Sequence, residues 1–196
     1  MQQEAELFID EQQSSPPTPP PKADPARSAY EWAETLVWCF LFVVVLFTFA
    51  FRVVGVFGHS MENTLFQDER LVTVNYITPT YGDIVAITRP TNLAEPLIKR
   101  VIATEGQTVD IDFDLGEVYV DGELLTEEYI KTPTTVSGDV KFPQTVPKGS
   151  VFVMGDNRDR SLDGRFQEIG MVDVRYIFGK AVFRLYPFNR IGSLHL

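Results

Sequence analysis

The alternation of apolar and polar positions divides the chain into three parts. Residues 1–34 are polar, acidic and rich in proline, residues 35–51 carry no charge, and the remainder consists of short apolar runs separated by turn residues. Six prolines lie between positions 16 and 25, where they remove backbone donors and favour extended conformations. We therefore expect residues 1–34 to be a disordered spacer outside any folded core.

The uncharged run Thr35–Phe51 predicts a single transmembrane helix, whose boundaries we place at residues 35 and 53. As a helix its seventeen residues span roughly 26 Å, slightly less than a hydrocarbon core of about 30 Å. The preceding flank is acidic and no small-residue cleavage site follows, which argues against a cleavable signal peptide. A buried helix of a soluble domain is the alternative. Basic residues flank both ends of the run, so charge leaves its orientation open.

From residue 54 to residue 196 the pattern predicts one mostly β, antiparallel domain. Short runs rich in β-branched and aromatic residues alternate with turn residues, and no long helical periodicity occurs. The pair Asp121-Gly122 between two such runs predicts a two-residue hairpin. The predicted strands are Leu71–Val74, Ile84–Ile87, Leu97–Ala103, Thr108–Ile111, Glu117–Val120, Ser150–Met154 and Lys180–Leu185.

Composition and charge exclude several classes of partner and cofactor. The formal charge is -10 and no basic stripe is available to neutralise phosphates, so we do not expect a nucleic-acid partner. The single cysteine, Cys39, lies inside the apolar run, which excludes a disulfide framework. Two histidines and one cysteine are too few for a His/Cys zinc site, and we expect neither a metal nor an organic cofactor.

Two segments after the apolar run carry residues suited to nucleophilic chemistry. GHSMENTL, Gly58–Leu65, places Ser60 close to a glycine, and IKRVIATEG, Ile98–Gly106, places Lys99 in an apolar strand. By strand alternation Lys99 shares its face with a leucine and a valine, a setting that desolvates the ammonium group and lowers its pKa. A neutral lysine can deprotonate a serine where no histidine is available. Taken separately, the two segments also fit a solvated strand residue and an ordinary turn.

Four segments in this order resemble the sequence boxes of bacterial type I signal peptidases. They are Gly58–Leu65, GDIV at Gly82–Val85, IKRVIA at Ile98–Ala103 and GDNRDRSLDGR at Gly155–Arg165; GKAVFRLYP at Gly179–Pro187 is similar to that family's final strand. The resemblance covers residues 54–187 and is closest to the compact, Gram-positive-type members with a single anchor. It implies a signal-peptidase-like β fold and a membrane-bound serine endopeptidase with a Ser/Lys dyad.

The resemblance implies roles for five residues. Ser60 matches the family's nucleophile and Lys99 its general base. Ser161 matches the serine that hydrogen-bonds to the lysine and orients it, and Asp163 and Arg165 match a supporting ion pair. The backbone N–H of Ser60 would belong to the oxyanion hole, where one donor is worth about 3 kcal/mol in the transition state.

The resemblance also implies shallow apolar pockets that admit small side chains such as alanine. Their lining would be Val54, Val56, Phe57, Gly58, Met61, Leu65, Leu71, Ala86, Leu97 and Ile98. Gly58 stands where some members carry a helping hydroxyl, so that second oxyanion donor is absent. Two further departures are Asn63, in place of a proline that restricts the turn, and Gly164, in place of a serine. Neither removes a catalytic group, so we expect activity.

The resemblance implies an enzyme that removes signal peptides from exported preproteins by cleaving after small residues at positions −3 and −1. Its expected partners are the signal peptides of preproteins and the lipid bilayer, and it is expected to work near the export translocon. The resemblance further implies a single-pass protein of a bacterial cell membrane, with a cytoplasmic N-terminus and an extracytoplasmic catalytic domain.

Three other interpretations fit parts of the sequence. His59 is adjacent to Ser60, but neighbours in an extended chain point to opposite faces, so it is poorly placed as the base; His195 is expected to be a solvated end residue. A self-cleaving Ser/Lys domain of the stress-response repressor type would need a DNA-binding helical module, which the acidic tail does not supply. A non-catalytic, membrane-anchored β domain that binds exported proteins is the alternative from another functional class.

Overall fold

The computed structural model describes residues 25–49, 51–76, 78–88 and 96–194, which form one long helix followed by two antiparallel sheets. The helix α1 spans Pro25–Phe49, and three short 3₁₀ helices span Arg158–Arg160, Val174–Tyr176 and Phe188–Arg190. The strands are β1 Phe51–Gly55, β2 Arg70–Val74, β3 Ile84–Ile87, β4 Leu97–Thr104, β5 Thr108–Asp112, β6 Glu117–Val120, β7 Glu123–Leu124, β8 Gln144–Thr145, β9 Ser150–Met154, β10 Val172–Asp173, β11 Ile177–Tyr186 and β12 Gly192–Ser193.

Helix α1 begins earlier than the apolar run and ends before residue 53. Residues 25–34, assigned above to the tail, are helical because they include good helix formers and a pair one turn apart, with Arg27 Nε 3.1 Å from Glu31 Oε1. Pro25 suits the first helical position, where its missing N–H would have no partner anyway. At the other end residues 51–53 belong to β1, so the predicted boundary at residue 53 is wrong.

The apolar stretch Ala26–Thr48 of α1 is long and apolar enough to cross a membrane. Its 23 residues span roughly 35 Å at about 1.5 Å per residue, which exceeds a hydrocarbon core of about 30 Å. The helix is therefore longer than the seventeen-residue span predicted from the uncharged run. Residues 1–24 and His195 lie outside the described residues, so the expectations for them stay predictions.

The larger sheet has eight strands, in the order β1-β2-β11-β3-β4-β9-β10, with β12 beside β11. Strand β11 lies between β2 and β3, where Lys180 is paired with Val74 on one side and Val85 on the other. The expected strands agree with the observed ones to within a few residues, and the mostly β, antiparallel fold is confirmed. The largest difference is β11, which starts at Ile177, three residues before the predicted start.

The smaller sheet has four strands, in the order β7-β6-β5-β8. Asp121 and Gly122 connect β6 to β7 with φ angles of 54° and 82°. Positive φ at both central residues is typical of the type I′ turn that closes two-residue hairpins. The hairpin predicted at this pair is therefore confirmed.

Within the described part of the chain, one edge of β4 near Lys99 has no pairing strand and is open. Strand β3 pairs with the first four residues of β4, whereas β9 pairs with it only from Arg100 onward. Val101 N–H donates to the Asp83 carbonyl at 2.8 Å, so by alternation the main-chain groups of Lys99 also face β3. Those of Ile98 face the opposite, open edge. Extended backbone from another chain can pair there.

Candidate active site

Ser60 lies in an irregular loop between β1 and β2, which we call the Ser60 loop, residues 58–65. Gly58 opens it with a φ of 78°, a left-handed conformation that residues with a side chain adopt rarely. Leu65 N–H donates to the Met61 carbonyl at 2.8 Å, and both of these side chains are fully buried. The loop is thus anchored in the core by its apolar residues, while Ser60 itself is half-buried at the surface.

Lys99 reaches Ser60 from β4. Its Nζ lies 2.8 Å from Ser60 Oγ, and only 2% of the residue is exposed. Burial lowers the pKa of Lys99 to about 8, although the charges of Asp163 and Asp156 oppose the shift; Arg165 acts in the same direction as burial. A lysine with this pKa is present largely as the neutral amine above pH 8, which is the form that a general base requires.

His59 points away from this pair. Its Nδ1 lies 2.8 Å from Glu62 Oε1 at the surface, and Lys131 Nζ donates to the other oxygen of Glu62 at 2.9 Å. The bonds from Lys131 and His59 hold the pKa of Glu62 below its ordinary value. The geometry therefore pairs Ser60 with Lys99 and not with His59. Among the described residues, no group of three or more His, Cys, Asp or Glu could hold a metal ion.

Ser161 lies beside the Ser60–Lys99 pair, but the expected hydrogen bond between Ser161 and Lys99 is not formed. Ser161 Oγ is buried and makes no hydrogen bond within the described part of the chain. A Cβ at Gly155 would lie 2.2 Å from Ser161 Oγ and 2.4 Å from the Ser60 carbonyl oxygen, so all three groups are in close contact. The expectation is corrected on this point, because Lys99 Nζ is directed at Ser60 instead.

Asp163 and Arg165 form a fully buried ion pair. Arg165 Nε lies 2.9 Å from Asp163 Oδ1, and the Gly155 N–H donates to Asp163 Oδ2 at 3.0 Å. Burial raises the pKa of Asp163, but the hydrogen bonds and charge of Arg165 outweigh it and hold the pKa below its ordinary value. The Ser161 hydroxyl is near this carboxylate without the geometry of a hydrogen bond. The pair fixes the segment that packs against Ser60.

A second buried ion pair, Arg100 with Asp156, was not predicted from the sequence. Arg100 follows Lys99 on β4, and its Nε and Nη2 lie 2.9 and 2.6 Å from the two Asp156 oxygens. Thr64 of the Ser60 loop donates to the same carboxylate at 2.5 Å. The pair therefore ties β4, which carries Lys99, to the Ser60 loop. Both charges are visible in the sequence boxes, but their contact across 56 positions is not.

Arg158 was also missed as a structural residue, although its loop was noted. Its guanidinium is fully buried, bonded to Glu127 and Thr134, and its Nε donates to the Gly155 carbonyl at 3.1 Å. Arg158 thereby fixes the position of Gly155, the glycine that contacts the Ser60 carbonyl. Nothing in the local sequence distinguishes this arginine from an exposed one.

Most of the predicted pocket residues come together in one buried cluster. Its members include Val54, Val56, Met61, Leu65, Leu71, Ala86 and Ile98. By contrast, Phe57 is 55% exposed, Gly58 is exposed, and Leu97 packs against a different cluster. Two cavities, of about 610 and 730 Å³, are lined by other residues, mostly of the smaller sheet. Seven of the ten predicted lining residues thus share one buried cluster, which includes Met61 and Leu65 of the Ser60 loop.

One of the two sequence departures has a structural cause. A Cβ at Gly164 would lie 2.5 Å from Phe152 Cε2 and 2.9 Å from the Val153 carbonyl oxygen. Glycine is required there because the Phe152 ring already fills the space that a serine side chain would need. Nothing in the structure explains the presence of Asn63, which is exposed in the Ser60 loop.

Comparison with known proteins agrees with this geometry. The family model described as signal peptidase, peptidase S26, matches residues 29–186, which is most of the chain. The chain belongs to the peptidase S26 family of signal peptidases. The resemblance stated from the sequence boxes is therefore confirmed.

Several S26 relatives are similar over most of their length. Signal peptidase I T of Bacillus subtilis (strain 168) is 36% identical over 82% of this chain and 87% of its own. Signal peptidase I of Bacillus licheniformis is 33% identical over 84% and 92%, and a probable signal peptidase I-1 of Synechocystis is 40% identical over 69% and 71%. A crystal structure of signal peptidase I from Enterococcus faecalis V583 is 30% identical over 53% of this chain and 97% of that one, with a TM-score of 0.42. The assignment rests on the sequence matches.

Proposed function

We propose that this S26 family member is a membrane-anchored serine endopeptidase that removes signal peptides from exported preproteins. The observation that carries the proposal is the 2.8 Å contact between Lys99 Nζ and Ser60 Oγ, made by a lysine whose pKa is lowered to about 8. A serine hydroxyl needs a neighbouring base to attack a peptide carbonyl, and a buried amine meets that need without histidine. The relatives, named signal peptidase I, supply the substrate class.

The Ser60–Lys99 geometry supports a two-step reaction. Neutral Lys99 Nζ accepts the proton of Ser60 while Oγ attacks the scissile carbonyl carbon, and the resulting ammonium returns that proton to the leaving amine. The mature protein departs, and the signal peptide stays bound as an ester of Ser60. Water then attacks the ester as its proton passes to Nζ. Collapse of this second intermediate releases the signal peptide and restores the Ser60 hydroxyl.

The backbone N–H of Ser60 is the donor that stabilises the oxyanion in this proposal. It donates no hydrogen bond within the described residues, so it is available to a substrate oxygen. Because Gly58 has no hydroxyl to donate, the Ser60 N–H is the oxyanion donor that this proposal uses. Loss of one such donor raises the barrier by about 3 kcal/mol.

The open edge of β4 is where we place the extended segment of the signal peptide. The main-chain groups of Ile98 face that edge, and a bound strand would gain main-chain hydrogen bonds from them. The Ile98 side chain packs in the same cluster as Val54, Val56 and Ala86. In this proposal, small side chains at positions −3 and −1 of the signal peptide pack against this cluster, as the resemblance to signal peptidases implies.

Helix α1 anchors the enzyme in the bacterial cell membrane, with the N-terminus in the cytoplasm and the β domain outside. The proposal is supported by the length and apolar composition of Ala26–Thr48 and by the bacterial relatives. A preprotein held in the same bilayer by its signal peptide meets the anchored enzyme in two dimensions, which raises the effective concentration. Working near the export translocon places the enzyme where such substrates emerge.

Cleavage of a purified preprotein in detergent tests this function. The wild-type chain should release the mature protein, and Ser60→Ala and Lys99→Ala should each lose at least about a thousandfold in rate while remaining folded by circular dichroism. Lys99→Arg should fail as well, because a guanidinium stays protonated. More than about a hundredth of the wild-type rate in Ser60→Ala would refute the dyad. Stable binding without turnover by the wild-type chain would instead favour a non-catalytic binding domain.

A further inference from the structure

We infer that Asn157 is a positioning residue for the oxyanion donor, a role that rests on the proposed function. Asn157 follows β9 by three residues and is 2% exposed. Its side-chain Nδ2 donates to the His59 carbonyl at 3.0 Å, and its backbone N–H donates to the Ser60 carbonyl at 3.0 Å. One residue therefore holds both peptide units that flank the Cα of the proposed nucleophile.

The bond to His59 acts on the group that faces the reaction. The His59 carbonyl and the Ser60 N–H belong to the same peptide unit, which is trans and planar. The two groups point in opposite directions, so fixing the carbonyl fixes the direction of the N–H. Donation to the carbonyl also polarises the unit and makes its N–H a stronger donor. The Asn157 amide thereby sets both the aim and the strength of the proposed oxyanion donor.

The Asn157 side chain is diverted from the bond it would ordinarily make. It precedes the 3₁₀ helix Arg158–Arg160, a position where asparagine side chains commonly cap the free N–H groups. Here it makes no capping bond and points at His59 instead. A carbonyl oxygen can only accept, so the amide atom facing it is the nitrogen. Glu62 N–H also donates to the His59 carbonyl, at 3.3 Å, but that bond lies inside the Ser60 loop.

Two substitutions in the full-length protein separate the side-chain bond from the main-chain bond. Asn157→Ala removes the amide but keeps the N–H that bonds to Ser60, and Asn157→Asp keeps the shape but turns an oxygen toward the His59 carbonyl. Both should lower kcat on a preprotein roughly 10- to 100-fold with little change in KM. Asp159→Asn, exposed in the same 3₁₀ helix, is the matched control and should retain wild-type rates. The pH midpoint should not move in Asn157→Ala, since the lost group carries no charge.

A peptide aldehyde and an uncleavable peptide of the same sequence distinguish positioning from a general structural defect. Ser60 Oγ adds to the aldehyde carbon and places its oxygen at the oxyanion position, whereas the uncleavable peptide places no charge there. Asn157→Ala should weaken aldehyde binding by the same factor as kcat, and binding of the uncleavable peptide by less than about twofold. The ratio of the two affinities does not depend on the folded fraction.

The possible outcomes separate the inference from the function beneath it. Equal weakening of both ligands would overturn the positioning role. An active wild type whose Asn157 variants match it would overturn the inference alone. A wild type that neither cleaves the preprotein nor binds the aldehyde would overturn the proposed function together with the inference.

Discussion

Lys99 is a lysine removed from water, and the free energy of this burial depends on pH. Its pKa is about 8 in the folded protein, against 10.5 for an ordinary lysine. Below pH 8 the folded and unfolded chains both carry the proton, and the cost of burying the ammonium is fully present. Between pH 8 and 10.5 the unfolded chain binds more protons, so the free energy of unfolding rises with pH across this window. Over this window the rise in the free energy of unfolding due to Lys99 is about 3 kcal/mol at most.

Replacing this lysine with an apolar side chain of similar length should therefore not destabilise the fold at neutral pH. We expect Lys99→Met to unfold at an equal or higher urea concentration than wild type at pH 7. The advantage should shrink as pH rises toward 10.5, because above that pH the wild-type lysine is largely neutral in both states. Urea denaturation at pH 7 and pH 10 measures both quantities. A Lys99→Met protein that is several kcal/mol less stable at pH 7 would show that the ammonium stabilises the fold.

Gly164 supplies a second residue-scale prediction. We expect Gly164→Ser to lower the free energy of unfolding by about 2 kcal/mol, because its Cβ would overlap the Phe152 ring and the Val153 carbonyl. Gly192→Ala is the matched control: a Cβ there meets no atom within 4 Å, and we expect a change below about 0.5 kcal/mol. Equal denaturation midpoints for Gly164→Ser and wild type would mean that the ring moves aside freely.

At the scale of single residues, short sequence motifs identify candidate catalytic residues, whereas contacts between distant positions cannot be predicted from the sequence. Ser60 and Lys99 could be selected from the sequence because each lies in a distinctive box, and the structure places their side chains 2.8 Å apart. The hydrogen bond expected between Ser161 and Lys99 cannot be checked from their positions in the sequence, because it depends on the orientation of the buried Ser161 hydroxyl. Asn157 has its side-chain partner 98 positions away, so no local pattern indicates its direction.

At the scale of elements, alternation and turn chemistry predicted the strands well, while the ends of the helix were missed. Period-2 runs between turn residues gave most strands of both sheets, and the Asp121-Gly122 pair gave the hairpin. The uncharged run Thr35–Phe51 predicted only the C-terminal, uncharged part of helix α1. The first turns of α1 contain charged residues, which a helix tolerates but a membrane-spanning segment rarely contains. From the sequence alone, residues 25–34 are therefore assigned to the tail.

Strand β11 is tied to the Ser60 loop by a charged cluster that sequence alone did not indicate. Glu69 is buried, with Arg184 Nε 2.9 Å from Oε2 and Arg190 Nη1 2.7 Å from Oε1. Arg184 Nη2 also donates to the Thr64 carbonyl at 2.6 Å. Strand β11 thereby holds the loop that carries Ser60.

The two arginines of this cluster should differ in their effect on stability. We expect Arg184→Met to lower the free energy of unfolding by about 3 kcal/mol, because it leaves the buried Glu69 carboxylate underpaired and the Thr64 carbonyl without this donor. Arg190→Met should lower it by about 1 kcal/mol or less, since the Arg190 side chain is 36% exposed and that of Arg184 only 13%. Thermal or urea denaturation of both variants gives the comparison. The reverse order would mean that Arg190, which donates to Glu69 Oε1, and not the more buried Arg184, is the main partner of Glu69.

At the scale of the whole molecule, the candidate site depends on the β domain, and the proposed function assigns to the helix the anchoring of that domain at a membrane. Ser60, Lys99, Ser161 and Asp163 all come from residues 58–163, within the span matched by the S26 family model. The groups proposed for catalysis therefore lie apart in sequence from residues 1–24. This division leads to a prediction about truncation.

Deleting residues 1–24 should leave turnover of a soluble peptide in detergent within about twofold of wild type. The deleted segment is polar, acidic and proline-rich, and it precedes both the helix and every proposed catalytic group. The full-length protein at the same concentration is the control, and initial rates are the measurement. A tenfold loss of kcat in the truncated enzyme would show that the tail contributes to the site.

The pH dependence of kcat/KM on a soluble peptide tests the central claim, that Lys99 is the base for Ser60, most directly. The account predicts that kcat/KM rises with pH through a single ionisation near 8, the pKa of Lys99, to an alkaline plateau. The same midpoint should persist in His59→Ala, while Lys99→Ala should show no measurable turnover at any pH. A midpoint near 6.5 that disappears in His59→Ala, together with a slow Lys99→Ala enzyme that keeps it, would contradict the account and make histidine the base.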